Sequence, residues 1–419
     1  MIGFQHTSAQ QTDYEFNTTV TKTYLAKLTD HQKSLQKQNQ GFMNLHSQHI
    51  DEIESLNGSI LPSIDHICVL GIGGSMLGPK FIIDALQMKN STKQFVFLDN
   101  IDPDEISKVS RELPLERTLF LVQSKSGTTP ETIAQFSFFL NKCLNQGLEI
   151  HEHFIFVTDP DSGYLREFGN KRGITMFHIP KNVGGRFSVL TPVGLVSASL
   201  AGIDIRQLLL GSESIIDRQL MSHGDVSAYL YACQLHYYYT KQLPIHVIMP
   251  YSDRLKLFGD WATQLISEST GKNRTRDGED IEFGITPLPA RGATDQHSQL
   301  QLFVEGPKDK TVTIIRSNET ANISIDPDDS LPDEFKFLSD HTFGELLNAE
   351  LEGTRTSLIE SNVPVSVISL NRINEYSIGQ LIQFYQLAIG YLGEITSIDM
   401  FNQPGVERSK VLAKEMLSK

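Results

Sequence analysis

The stretch Thr118-Leu-Phe-Leu-Val-Gln-Ser-Lys-Ser-Gly-Thr-Thr-Pro-Glu-Thr132 decides how the chain is read. An apolar β-type run, Thr118–Val122, leads into a hydroxyl-rich turn, Gln123–Thr132, and then into a helical pattern, Thr132–Leu140. The first N–H groups of such a helix have no intrahelical partner, and the helix dipole favours an anion in front of them. Ser124, Ser126, Thr128, Thr129 and Thr132 add hydroxyls, and Gly127 lets the backbone approach closely. Ser and Thr precede many helices as ordinary caps. Five hydroxyls within nine residues exceed what one cap uses. A phosphate also has more oxygens to satisfy than a carboxylate. The stretch therefore reads as a phosphate cradle on a strand–turn–helix unit. It is not a Walker loop, because the Gly-x-x-x-x-Gly-Lys-Ser/Thr spacing is absent.

Further strand-like runs stand on either side: Ile67–Leu70, Phe95–Asp99, Phe154–Asp159 and Thr175–Ile179, with helical patterns between them. Apolar runs alternating with helices imply a mostly parallel sheet covered on both faces. Such sheets take ligands at the carboxyl ends of their strands. A second α/β pattern runs from about 205 to 395, with strands at Ile245–Met249, Val312–Ile315 and Val365–Ser369. The expected division is an N-terminal helical segment, 1–60, a first α/β domain, 61–204, a second, 205–395, and a C-terminal helical tail, 396–419.

The 419 residues allow two or three domains with sizeable cores. A net charge of −14 argues against a general binder of nucleic acid or of anionic membranes, though not against a small anion held by local donors. Cys68, Cys143 and Cys233 are too widely spaced for a metal pattern or a disulfide framework, which fits a reducing compartment. No stretch approaches a membrane span, and the first residues carry no export signal, so the expected location is the cytoplasm.

Four further places carry candidate chemistry. Gly71-Ile-Gly-Gly-Ser75 follows a strand but fails the dinucleotide spacing, so Gly73, Gly74 and Ser75 are expected to face a small ligand. Arg186 follows two glycines in Gly184-Gly-Arg-Phe-Ser188, where a fixed guanidinium suits an anion. Glu268 ends a largely apolar helix and could serve as a general base, although a lone Glu there is usually just solvated. His297, in a polar loop, is as often a surface residue as an acid/base group. Lys410, on a charged tail, carries nothing by its position alone.

Taken together and in order, Gly71–Ser75, Ser124–Thr129, Gly184–Ser188, Glu268-Ser-Thr-Gly-Lys272, Gln296-His297 and Gln403-Pro-Gly-Val-Glu407 closely resemble the glucose-6-phosphate isomerase (phosphoglucose isomerase) family over about residues 65–410. The resemblance implies two sugar-isomerase (SIS) domains, each a flavodoxin-like αβα sandwich, with the C-terminal tail contributing to the active site. It implies aldose–ketose isomerisation of glucose 6-phosphate and fructose 6-phosphate, with no metal and no organic cofactor. Ser124, Lys125, Ser126, Thr129 and Thr132 would bind the phosphate, and Gly74, Ser75 and Gln403 would line the sugar pocket. Glu268 would move a proton between C1 and C2, and Arg186 would stabilise the enediol(ate). His297 and Lys410 would help open the ring. A homodimer is implied, with His297 donated across the interface. Mannose 6-phosphate as a further substrate, and a non-catalytic sugar-phosphate sensor, are the competing readings. A sensor would not need Glu268, Arg186, His297 and Lys410, and all four are present.

Overall fold

The structure, a computed structural model, describes residues 2–7, 21–48, 50–87, 93–218, 226–326 and 332–418. The first strand, β1 (Gly3–Thr7), precedes short helices that reach residue 59. Then β2 (His66–Leu70), β3 (Gln94–Leu98), β4 (Thr118–Ser124), β5 (Phe154–Thr158) and β6 (Thr175–His178) alternate with helices. They form one sheet in the order β3-β2-β4-β5-β6, parallel throughout. In chain order this is 2-1-3-4-5, the flavodoxin-like winding.

After β7 (Ile245–Pro250) comes a two-stranded ribbon, β8 (Lys272–Arg274) and β9 (Asp280–Phe283). β10 (Thr286–Pro289), β11 (Lys310–Ser317) and β12 (Val365–Leu370) follow. The second sheet runs β1-β12-β11-β7-β10. Its last four strands are parallel in a 2-1-3-4 winding, and β1 joins β12 antiparallel. The α/β class and the two sheets agree with the sequence reading.

Two strands depart from that reading. Residues 1–60 were expected to be helical, yet Gly3–Thr7 is a strand. Its conformation comes from pairing with β12 across the whole chain, a non-local contact that local pattern does not carry. β10 contains Pro287 and Pro289, which count against a strand by composition. It is tolerated because, among the described strands, β10 is an edge whose one partner is β7.

Alternation along each strand sorts the core. In the first sheet Ile67, Val69, Leu119 and Leu121 face inward, while Cys68, Leu70, Phe120 and Val122 face an outer cluster with Phe136 and Phe139. In the second, Ile248, Ile315 and Ile368 face inward and Val247, Val312, Ile314 and Val365 face outward onto Phe303, Leu351 and Leu358. Both inward faces belong to one continuous core, which also takes Leu35 and Phe42 from the N-terminal segment. At its centre lies the Glu375–Thr396 helix, buried on every side from Ser377 to Glu394. Two of its buried glutamines find partners inside: Gln383 accepts from Ser212 Oγ at 2.8 Å and Gln386 donates to the Phe187 carbonyl at 2.9 Å. The Ile205–Ile216 helix crosses it at Gly211 and Gly379, where a Cβ on either glycine would overlap a backbone carbonyl of the other helix. Among the described residues, no helix is long and apolar enough to cross a membrane.

Candidate active site

The loops after β2 and β4 leave the first sheet side by side, at the point where its winding reverses direction. After β4, Gly127 turns the chain at φ +64°, and the Pro130–Asn145 helix starts with Pro at its first position. Pro is suited there, because its fixed φ matches the helix and its missing N–H is not needed. Ser124 and Thr129 share a hydroxyl hydrogen bond at 2.8 Å, and Ser126 Oγ accepts from the Thr128 N–H at 3.2 Å. Thr132 Oγ1 and Thr158 Oγ1 are buried and make no hydrogen bond. Buried hydroxyls are rarely left in that state. Lys125 turns away from the cradle: its ammonium donates to the carbonyls of Lys181 at 3.0 Å and Val183 at 2.6 Å.

The turn after β2 bridges this cradle to Arg186. Gly74 lies against the Gly185–Arg186 peptide, so closely that a Cβ would overlap the Gly185 carbonyl. Ser188 Oγ donates to that carbonyl at 2.6 Å and fixes the loop from below. Ser75 is half-buried in the same turn. Gly73 lies beside the Gln264 amide.

Arg186 is the centre of the cluster. Its side chain is 1% exposed, and all five guanidinium N–H groups have acceptors. Nε donates to Ser269 Oγ at 2.8 Å. Nη1 donates to Glu268 Oε2 at 3.2 Å and to Gln403 Oε1 at 2.9 Å. Nη2 donates to the carbonyls of Met400 and of Asn402, the latter at 3.0 Å. Burial lowers the Arg186 pKa, and Glu268 opposes that shift. Glu268 caps its position on the Phe258–Thr270 helix by accepting from Gln264 Nε2 at 2.8 Å through Oε1. Lys272 Nζ donates to the Glu268 carbonyl at 2.7 Å and to the Asn402 carbonyl at 2.9 Å. Burial, reinforced by the charge of Arg186, lowers the Lys272 ammonium to about 8. Gln264, Ser269 and Lys272 were not singled out as site residues from sequence. Only Gln264 carried a signal, since it stands four residues before Glu268 on the same helix face; Lys272 already belongs to β8.

A hydroxyl-rich turn, a buried guanidinium and a carboxylate thus lie at one switch point. A model of the family described as phosphoglucose isomerase matches residues 28–419. The chain belongs to the phosphoglucose isomerase family. A glucose-6-phosphate isomerase from Carboxydothermus hydrogenoformans is 37% identical over 389 residues, covering 90% of this chain and 83% of that one. Among solved structures, a hypothetical protein from Thermus thermophilus aligns with a TM-score of 0.91 at 33% identity, over 99% of this chain and 100% of its own. A glucose-6-phosphate isomerase from Chlamydia trachomatis has the same fold, with a TM-score of 0.82 at 24% identity over 100% of this chain and 88% of its own.

Two residues that the phosphoglucose isomerase resemblance assigns stand apart from Arg186. His297 is exposed at the end of the short Thr294–His297 helix, after Gln296, whose amide donates to Tyr251 Oη at 3.2 Å and to the Glu350 carbonyl at 3.0 Å. Lys410 lies on the exposed Glu407–Leu417 helix and pairs with Glu407 at 2.8 Å. The structure brings Arg186, Glu268, Gln403 and the Gly71–Ser75 turn together within one chain. It does not bring His297 or Lys410 to them.

Proposed function

We propose that the chain interconverts glucose 6-phosphate and fructose 6-phosphate, in glycolysis and gluconeogenesis, through a cis-enediol(ate). The observation that carries this is Glu268 held against the fully bonded, buried guanidinium of Arg186. A C–H beside a carbonyl is a weak acid, and its removal puts negative charge on oxygen. Glu268 takes the proton from one carbon and returns it to the other, adding about 10²–10⁴-fold by general-base action. Arg186 is fixed before the reaction, and with all five N–H groups already accepted it acts on the developing oxyanion through its buried positive charge.

Ser124, Ser126, Thr129 and Thr132, with backbone N–H groups including that of Lys125, take the phosphate. The partnerless Thr132 hydroxyl supports this assignment. Gly74, Ser75 and Gln403 line the sugar, and phosphate binding far from the reacting carbons holds the substrate in register. His297 and Lys410 serve ring opening. His297 reaches the site from a second subunit of a homodimer, which fits its exposure and its separation from Arg186. The domains divide at 61–204 and 205–395, and the tail from 396 completes the site through Gln403. The enzyme works in the cytoplasm.

The deciding assay couples fructose 6-phosphate turnover to detection of glucose 6-phosphate, in EDTA, for wild type and Glu268→Gln. Robust wild-type turnover that collapses in the variant, with sugar-phosphate binding retained, is the expected outcome. Binding without wild-type turnover points to a sensor instead. Turnover that survives the substitution removes Glu268 as the base.

A further inference from the structure

Both sheets wind outward from a central pair of strands: β2 and β4 in the first, β7 and β11 in the second. Above such a pair the connecting loops part in opposite directions, and the crevice between them takes ligands. Above β2 and β4 that crevice is the site described. Above β7 and β11 the structure has a second cavity, of about 610 Å³. Pro250 and Ile315 pair at its base, so the two loops leave the sheet at one level. Ser252, Asp253 and Arg254 line it after β7, Glu319 and Thr320 after β11, and Arg372 after β12.

The charges in this cavity are unevenly engaged. Arg254 donates through Nε to the Ala85 carbonyl at 2.8 Å, and its Nη1 and Nη2 make no hydrogen bond or ion pair with a described residue. Arg372 makes none at all with a described residue. Arg316, nearby on β11, shows the usual state: it is held by Ser369 at 3.1 Å and Glu352 at 2.9 Å. The two carboxylates are already partnered, Asp253 with Arg291 at 3.5 Å and Glu319 with the Asn371 amide at 3.0 Å. Both still have lone pairs for hydroxyl donors. Two guanidinium forks beside carboxylates and hydroxyls match a ligand that is anionic at one end and polyhydroxylated at the other. The wall is also preorganised. Arg254 is tied to Ala85, and Lys256 pairs with Asp84 at 2.9 Å, both on the Leu77–Leu86 helix.

We propose that this second switch-point cavity binds a small phosphorylated polyol, with its phosphate on Arg254 and Arg372 and its hydroxyls on Asp253 and Glu319. The cavity's lining contains none of Arg186, Glu268 and Gln403. Calorimetric titration of the full chain with sorbitol 6-phosphate, an open-chain probe, tests it. Wild type binds two molecules per chain. Arg372→Gln weakens one of the two by about tenfold or more and leaves kcat in the coupled assay unchanged. Arg372 is exposed and bonds to no described residue, so this variant folds as wild type does. Arg254→Gln weakens the same molecule. Ser126→Ala with Thr129→Ala removes the other molecule and raises KM. One molecule per chain in wild type overturns the proposal, as do two undiminished molecules in both arginine variants. Two molecules retained by the Ser126/Thr129 variant would instead sink the assignment of the catalytic cradle and leave the second cavity standing.

Discussion

Lys272 shows how much one side chain can add around a buried charge. It clamps the last turn of the Glu268 helix to the segment carrying Gln403, and its own ammonium is lowered to about 8 by burial and by Arg186. Its folded pKa is below the ordinary lysine value of about 10.4. The unfolded chain therefore binds more protons between those two values, and this residue's contribution to stability rises with pH across that window. Activity moves the other way: above pH about 8 the clamp loses its charge, so kcat/KM should fall on an alkaline limb. Lys272→Met should lower activity at neutral pH and abolish that limb, as a pH–rate profile would show. Gly74→Ala should push the Gly185–Arg186 peptide away and cut kcat at least tenfold, since a misplacement of about 1 Å can cost 10²-fold. Its thermal midpoint separates this from unfolding. At this scale the sequence was informative where chemistry is local. The hydroxyl turn announced itself by composition. Gly74 did not reveal its reason, because what excludes a Cβ is a loop more than a hundred residues away.

Elements were legible where periodicity was clean. All eight strands read from apolar runs exist, within about two residues at each end. β1 and β10 were missed for opposite reasons: one is defined only by its distant partner, the other is masked by two prolines. The crossing of the Ile205–Ile216 and Glu375–Thr396 helices was equally invisible, since Gly211 and Gly379 look like weaknesses in a helix until the partner is seen. Gly379→Ala should therefore destabilise the chain by about 1–3 kcal/mol through overpacking, against the usual gain from Ala in a helix. A denaturant midpoint that rises instead would show that the helices can separate without loss.

For the whole molecule, the question is what a single chain lacks. His297 and Lys410 are exposed, and so are Val411, Met416 and Leu417 on the tail helix. Mixing inactive Glu268→Gln chains with inactive His297→Ala chains tests donation across a homodimer. Hybrids then hold one intact site, and about a quarter of wild-type activity should return after exchange. No recovery would place His297 in its own subunit's site. Sequence alone reached the fold and the family, because both rest on patterns inside one chain. Subunit contribution rests on surfaces that meet only after folding.

β1 comes before every other described strand in the chain, and its partner β12 comes after them all. The first sheet, β2–β6, is complete in sequence by residue 178 and can assemble while translation continues. The second cannot close until its far strand leaves the ribosome. Until then β1 has no partner, and its pairing is the most delayed among the described strands.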